Sequence, residues 1–338
     1  MKILIFSPSF LPVIGGLENM MHYLATGLSN LNVEITVITL EKNKSKEEEE
    51  FNYNIIRKPS YITFYKLYKE CDAYLNFNIS LKGLWPLLIK RKPYFVSHQI
   101  TYINFDGSIN FLEKIKRFIT RFSTNISCTD FVRQTLPLKN GYVIGNCYNN
   151  NIFKNLNLNR DLEIAFVGRL VSDKGVDTLI NALHFLKQRD KIYPKLTVIG
   201  NGPELENLKS LTMQLNLNDQ INFIGAFKNE ELVNLLNRHK LLVIPSKWEE
   251  PFGIVALEGL ACGCSLIVSK NGGLPEASGN LSIKFENGNP ESLYLALKFH
   301  YETFKFDNDD SDTKEHLRLH SIKSIAKQYL DTIEKELK

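Results

Sequence analysis

Residues 163–183, EIAFVGRLVSDKGVDTLINAL, decide the fold. An apolar run rich in β-forming residues stops at Gly168-Arg169, and beyond Lys174-Gly175 the apolar residues recur at helical spacing. A strand that leads through a glycine loop into a helix is half of a βαβ unit. The runs KILIFS, EITVIT and YFVSH before it, and KLTVIG, INFIG, LLVIPS and SLIVS after it, are likewise separated by longer segments of helical period. Short, continuously apolar strands suit parallel sheets covered on both faces, so the chain reads as α/β with doubly wound, Rossmann-like sheets.

A chain of 338 residues, 43% hydrophobic, is long enough for two ordinary cores. Around residues 145–160 the sequence GNCYNNNIFKNLNLNR is rich in Asn and poor in core residues, after which the strand–helix rhythm restarts. This places two domains, at 1–157 and 158–317. The segment from 318 to 338 contains IKSIAKQYLDTIEKELK, whose apolar positions predict an amphipathic helix.

The opening MKILIFSPSF lacks a signal-peptide core, and no run of about 18 apolar residues suits a membrane span. Five cysteines without a CxxC pair argue against a disulfide framework or a structural zinc, and fit a reducing cytoplasm. Residues 1–154 hold 19 Lys and Arg against 12 Asp and Glu, or +7; the remainder holds 22 against 25, or −3. In the basic half, Lys90-Arg91-Lys92 and Lys114 to Arg121 interleave with Trp85, Leu87, Leu88, Phe118 and Phe122. That pattern suits an anionic lipid surface or anionic acceptor, and equally an ordinary solvated face.

Four stretches carry chemistry. In PSFLPVIGGLENMMHYL, the pair Gly15-Gly16 precedes a helix and lets a ligand approach its N-terminus, or is simply a tight turn. In FVGRLVSDKG, Gly168 ends a strand, and Arg169 and Lys174 match a diphosphate, Arg as a planar fork and Lys as a compact charge. Arg169 could instead pair with Asp173. In VIGNGPELENL, Gly200 and Gly202 form a second glycine loop that admits a base or ribose, or merely turns the chain. In SKWEEPFGIVALEG, the loop containing Phe252 and Gly253 leads into a helix at Ile254 and Val255. Glu250 stands before that helix and Glu258 inside it, suited to accept hydrogen bonds from sugar hydroxyls; Glu258 could equally pair with a neighbouring cation.

The order GG, GRLVSDKG, GNGPELENL, EEPFGIVALE and NGGLPEA resembles the retaining glycosyltransferases of family 4, which have the GT-B fold of two facing Rossmann-like domains. The resemblance covers nearly the whole chain. It departs at Asn32-Val33, where the family often has Gly-His, and in a short segment after Glu276. It implies that residues 158–317 bind a nucleotide-sugar, that the first domain faces the acceptor, and that the helix at about 318–338 crosses back to complete it.

Further, the resemblance implies that reaction occurs in the cleft between the domains. Arg169 and Lys174 would neutralise the leaving diphosphate, Glu258 would take ribose hydroxyls and Glu250 would face the transferred sugar. Backbone N–H groups from Phe252 to Val255 would contact sugar and phosphate, and His98 would face the donor sugar. No metal and no cofactor is expected, and Asp309, Asp310 and Asp312 are not read as a metal-binding DxD motif. Abundant Asn, Ile and Lys suggest an AT-rich microbial source. The expected activity is hexosyl transfer, from a UDP-sugar rather than a GDP-sugar, to a lipid-linked or polysaccharide acceptor in cell-envelope glycan synthesis. The expected location is the cytoplasm, with peripheral contact to anionic membrane and no nucleic acid. Alternatives are a sugar-nucleotide epimerase, a phosphorylase on the same fold, or a non-catalytic transferase partner. An NAD-dependent oxidoreductase lacks its GxGxxG signature here.

Overall fold

The computed structural model describes residues 1–12, 15–42, 51–104, 107–138, 141–303 and 311–338. Asp309, Asp310 and the charged run 43–50 lie outside them. The chain forms two compact units, Met1–Tyr148 with Leu319–Lys338, and Asn149–Arg318.

The first unit is built on β1 (Lys2–Ser7), β2 (Glu34–Thr39), β3 (Asn54–Arg57), β4 (Ala73–Phe77), β5 (Tyr94–His98), β6 (Thr124–Ser127) and β7 (Tyr142–Val143). Their order across the sheet is β3-β2-β1-β4-β5-β6-β7, and every pairing is parallel. All five residues of β4 and of β5 are buried, as befits central strands covered on both faces.

Helix Ile322–Leu337 buries Ile325, Ala326, Tyr329 and Ile333 in this unit. It lies against helix Gly16–Asn30, where a Cβ on Gly27 would stand 2.7 Å from the Ala326 Cβ. Only a residue without a side chain allows so close a crossing. The Tyr329 hydroxyl also shares a 2.8 Å hydrogen bond with Ser97 Oγ on β5, so residues 319–338 are tied to the first sheet as well as to a helix.

The second unit contains β8 (Leu162–Val167), β9 (Leu196–Ile199), β10 (Ile221–Gly225), β11 (His239–Ile244), β12 (Ser265–Ser269) and β13 (Ser282–Phe285), ordered β10-β9-β8-β11-β12-β13 and again parallel. Its core joins Ile164, Phe166, Leu179, Leu183, Val198, Leu241, Ile267 and Leu297. Each such side chain contributes about 1.5–3 kcal/mol by leaving water. The Asn-rich segment is bound to this unit: Asn237 Oδ1 accepts from the Leu156 N–H at 2.6 Å, and Arg160 donates to the His239 and Cys262 carbonyls, each at 2.6 Å. Among the described residues, no helix is long and apolar enough to cross a membrane.

Candidate functional site

In a parallel sheet all strands end on one edge, and ligands bind there, beside the point where strand order reverses. In the second unit that point lies between β8 and β11. Gly168 and Arg169 follow β8, Gly200 and Gly202 follow β9, the loop 245–253 follows β11, and Gly272 and Gly273 follow β12. The topology alone therefore gathers the chemistry-bearing loops of this unit on one edge.

The glycines hold these loops against one another. A Cβ on Gly200 would stand 1.8 Å from the Gly168 carbonyl oxygen, and one on Gly202 would stand 2.2 Å from that of Leu170. Backbone hydrogen bonds join the same segments, from Gly168 N to Ile199 O at 3.0 Å and from Leu170 N to Asn201 O at 2.9 Å. The space freed by both glycines is filled by the neighbouring loop. Gly175 has φ 68°, and a Cβ there would stand 1.9 Å from the Pro245 oxygen. Lys247 N donates to Asp173 O at 2.8 Å, so the turn Ser172–Lys174 and the loop after β11 form one frame.

That frame brings Lys174 Nζ to 2.7 Å from Glu250 Oε1, an ion pair only partly open to solvent. Ser246 Oγ donates to the same carboxylate oxygen, a partner that sequence reasoning missed. The Glu250 carbonyl accepts from Gly273 N at 2.6 Å, fixing the residue from a third loop. Arg169 is different. It is exposed, and its guanidinium has no hydrogen bond or ion pair among the described residues, including none to Asp173.

Helix Ile254–Ala261 starts from Gly253, which has φ 97° and supplies no side-chain cap, and its first turn contains no acid. A Cβ at Gly253 would stand 2.3 Å from Leu274 Cδ2. Phe252 is buried, and Ile254 and Val255 are half-buried at the first turn. Such an end carries about half a positive charge. Glu258 lies one turn further on. Its carboxyl has no hydrogen bond or ion pair among the described residues, and burial pushes its pKa up to about 7. A carboxyl near half-ionisation at neutral pH, without a protein partner, is placed to accept hydrogen bonds from a ligand.

In the first unit, Gly15 is the N-cap of helix Gly16–Asn30, and Gly16 meets nothing within 4 Å of a built Cβ. The carboxylate that meets this helix start is the protein's own. Glu18 is buried in the first turn, and its Oε1 accepts from Ser9 Oγ at 2.8 Å.

His98, at the end of β5, is fully buried. Its Nε2 lies 2.8 Å from Asn125 Oδ1 and its Nδ1 lies 3.1 Å from the Tyr102 hydroxyl. The Tyr102 oxygen already accepts from Ile79 N at 2.8 Å, so its proton goes to Nδ1 and His98 Nε2 donates to Asn125. Burial lowers the ring's pKa to about 4 and keeps it neutral. The resemblance has this ring facing a donor sugar; in the structure both nitrogens are engaged within the first unit. The polar residues of β6 and the Tyr102 side chain, which close this network, give no periodic signal in sequence.

Residues 148–303 match the family model described as Glycosyl transferases group 1. An uncharacterized glycosyltransferase of Methanocaldococcus jannaschii is 40% identical over 113 residues, 33% of this chain and 28% of that protein. The matched segment thus spans little more than a quarter of the curated relative's length. Similar solved structures cover nearly the whole chain. Sucrose-phosphate synthase from Thermosynechococcus elongatus has a TM-score of 0.80 at 19% identity, covering 99% of this chain and 98% of that one. Anabaena HepE in complex with UDP has a TM-score of 0.81 at 18% identity, covering 99% and 100%. Residues 148–303 are therefore similar to the group 1 glycosyl transferases, within a chain whose fold is GT-B.

Proposed function

We propose that this protein is a metal-independent, retaining glycosyltransferase of family 4. It moves a hexosyl group from a nucleotide-sugar, a UDP-sugar in preference to a GDP-sugar, to a hydroxyl of a lipid-linked or polysaccharide acceptor in cell-envelope glycan synthesis. The observation that carries this reading is the second unit's carboxyl edge. It presents an acid-free helix start at Ile254, together with a guanidinium at Arg169 and a carboxyl at Glu258 that have no partner among the described residues.

Breaking the bond between the anomeric carbon and the phosphate oxygen leaves a nucleoside diphosphate that gains negative charge. In this reading Arg169, Lys174 and the helix dipole stabilise that charge as it develops. Glu258 accepts the ribose hydroxyls. Glu250, held by Lys174 and Ser246, is positioned toward the transferred sugar. The acceptor oxygen bonds to the anomeric carbon on the face the diphosphate leaves, and the acceptor's proton passes to the departing phosphate oxygen, so configuration is retained. His98 acts as a positioning residue that fixes the end of β5. HepE, solved with UDP and with UDP-glucose, supports uridine as the first base to test.

The test is release of nucleoside diphosphate and sugar transfer from a panel of UDP- and GDP-sugars, with glycan and lipid-linked acceptors. Activity with a UDP-sugar is expected to survive EDTA, and Arg169→Ala is expected to lower kcat/KM by about 10²–10³. If no sugar nucleotide is consumed and Arg169→Ala leaves UDP affinity unchanged, the reading fails. A changed sugar nucleotide formed without acceptor would identify an epimerase instead.

A further inference from the structure

The stretch NGGLPEASG, residues 271–279, joins the carboxyl edge of the second unit to a helix far along the chain. Its middle is helix Leu274–Ser278, five residues long. So short a helix leaves most of its carbonyls without backbone donors, and side chains supply two. Ser278 Oγ donates to the Leu274 carbonyl at 2.9 Å, and His316 Nε2 lies 2.8 Å from the Ala277 carbonyl, 39 positions earlier. A carbonyl only accepts, so Nε2 carries the proton.

The front of this helix grips the loop that carries Glu250. Gly273 N donates to the Glu250 carbonyl at 2.6 Å, and a Cβ on Gly272 would stand 2.8 Å from that same oxygen. Leu274 is fully buried, with Cδ2 in the space that Gly253 leaves open. A Cβ at Gly253 would also stand 3.5 Å from Glu250 Oε2, so the Leu274 methyl and the carboxylate border one gap. Lys174 and Ser246 both bind Oε1. Among the described residues Oε2 has no hydrogen bond, which makes it the oxygen open to a ligand.

The rear of the helix ends at Gly279, with φ 59°. The His316 ring rests there: a Cβ on Gly279 would come to 3.2 Å from its Cε1 and 3.3 Å from its Nδ1. Helix Ser311–Leu319, which carries His316, buries none of its residues. A directed hydrogen bond therefore does more to place it against its neighbour than apolar packing does. Glu250, Gly273, Leu274, Ala277 and His316 all belong to the second unit.

We propose that His316 is a positioning residue for sugar recognition: by holding the rear of helix Leu274–Ser278 it fixes Gly273 and Leu274, and through them the aim of Glu250. The proposal rests on the reading of Glu250 as the group that faces the transferred sugar. Arg169 and Glu258, assigned to the nucleotide, are held by other segments, so His316 should matter for the sugar and little for the nucleoside diphosphate.

The full chain is compared with His316→Ala and with His316→Gln, whose side-chain amide offers an N–H at a similar reach to Nε2. In amide hydrogen exchange without ligand, His316→Ala is expected to speed exchange at Gly273 about fivefold, the worth of one hydrogen bond, and His316→Gln to restore the wild-type rate. Affinity for UDP-glucose should fall about fivefold in the Ala variant and recover in the Gln variant. Affinity for UDP, which has no sugar for Glu250 to meet, should change less than about twofold. Equal losses for UDP and UDP-glucose, or exchange at Gly273 that is the same in all three proteins, overturn the proposal. If wild type binds neither UDP nor UDP-glucose, the proposed function fails and this proposal falls with it; if wild type binds both and His316→Ala binds them equally well, this proposal fails alone.

Discussion

Helices Gly16–Asn30 and Ile254–Ala261 both begin from a glycine that brings no side-chain cap, and they differ in what meets their first turn. In the first unit, helix Gly16–Asn30 has Glu18 buried in that turn and held by Ser9. In the second, helix Ile254–Ala261 has no acid in its first turn, and the nearby Glu258 has no partner among the described residues. A glycine before a helix thus does not distinguish an anion site from an ordinary turn. The difference is whether the chain already supplies the anion.

The most damaging change to the second unit's arrangement is expected at Gly175. An alanine there meets both the left-handed backbone and the Pro245 oxygen, and should cost about 3–5 kcal/mol. Gly16→Ala in the first unit, where the space is open, should change stability by less than about 0.5 kcal/mol. Urea denaturation of both variants checks this contrast, and comparable losses would show that the two glycines serve the same purpose.

Glu258→Gln comes next and depends on pH. The folded-state pKa of about 7 exceeds the ordinary value of 4.5, so the group's stabilising contribution is full below pH 4.5 and is lost as pH rises through 7. The Gln variant should therefore be more stable than wild type by about 2–3 kcal/mol at pH 8, and equal to it at pH 4. Thermal unfolding at the two pH values reads the difference; a gain independent of pH would mean that ionisation is not its cause. Glu18→Gln should act the other way and more weakly, destabilising the first unit by about 1 kcal/mol at neutral pH through the loss of a charge at a helix start. No loss of Tm in that variant would erase the contrast between the two helix ends.

The apolar strands were legible from sequence because their burial on both faces leaves a direct signature: KILIFS, EITVIT, YFVSH and LLVIPS all lie in or overlap strands. Strands β3, β4, β6, β7 and β13 were not. The sequence of β6, TNIS, is polar, and its Asn125 is bound to His98, 27 positions earlier. A polar residue satisfied by a distant partner looks like a loop residue in one dimension. The same limit applied at the site. Sequence placed Arg169, Lys174, Glu250 and Glu258 in loops and a helix that topology gathers on one edge. It could not reveal that Lys174 and Glu250, 76 positions apart, bind each other, because that pairing depends on how the turn at Asp173 is stitched to the loop after β11.

The crossing at Gly27 has a bearing on synthesis. The first unit is discontinuous, since its helix Gly16–Asn30 is covered by residues from 322 onward, whereas the second unit is a single uninterrupted segment. Domains fold as units while the chain leaves the ribosome. The segment encoded later is therefore able to close first, and the amino-terminal sheet waits, partly uncovered, until its last helix emerges.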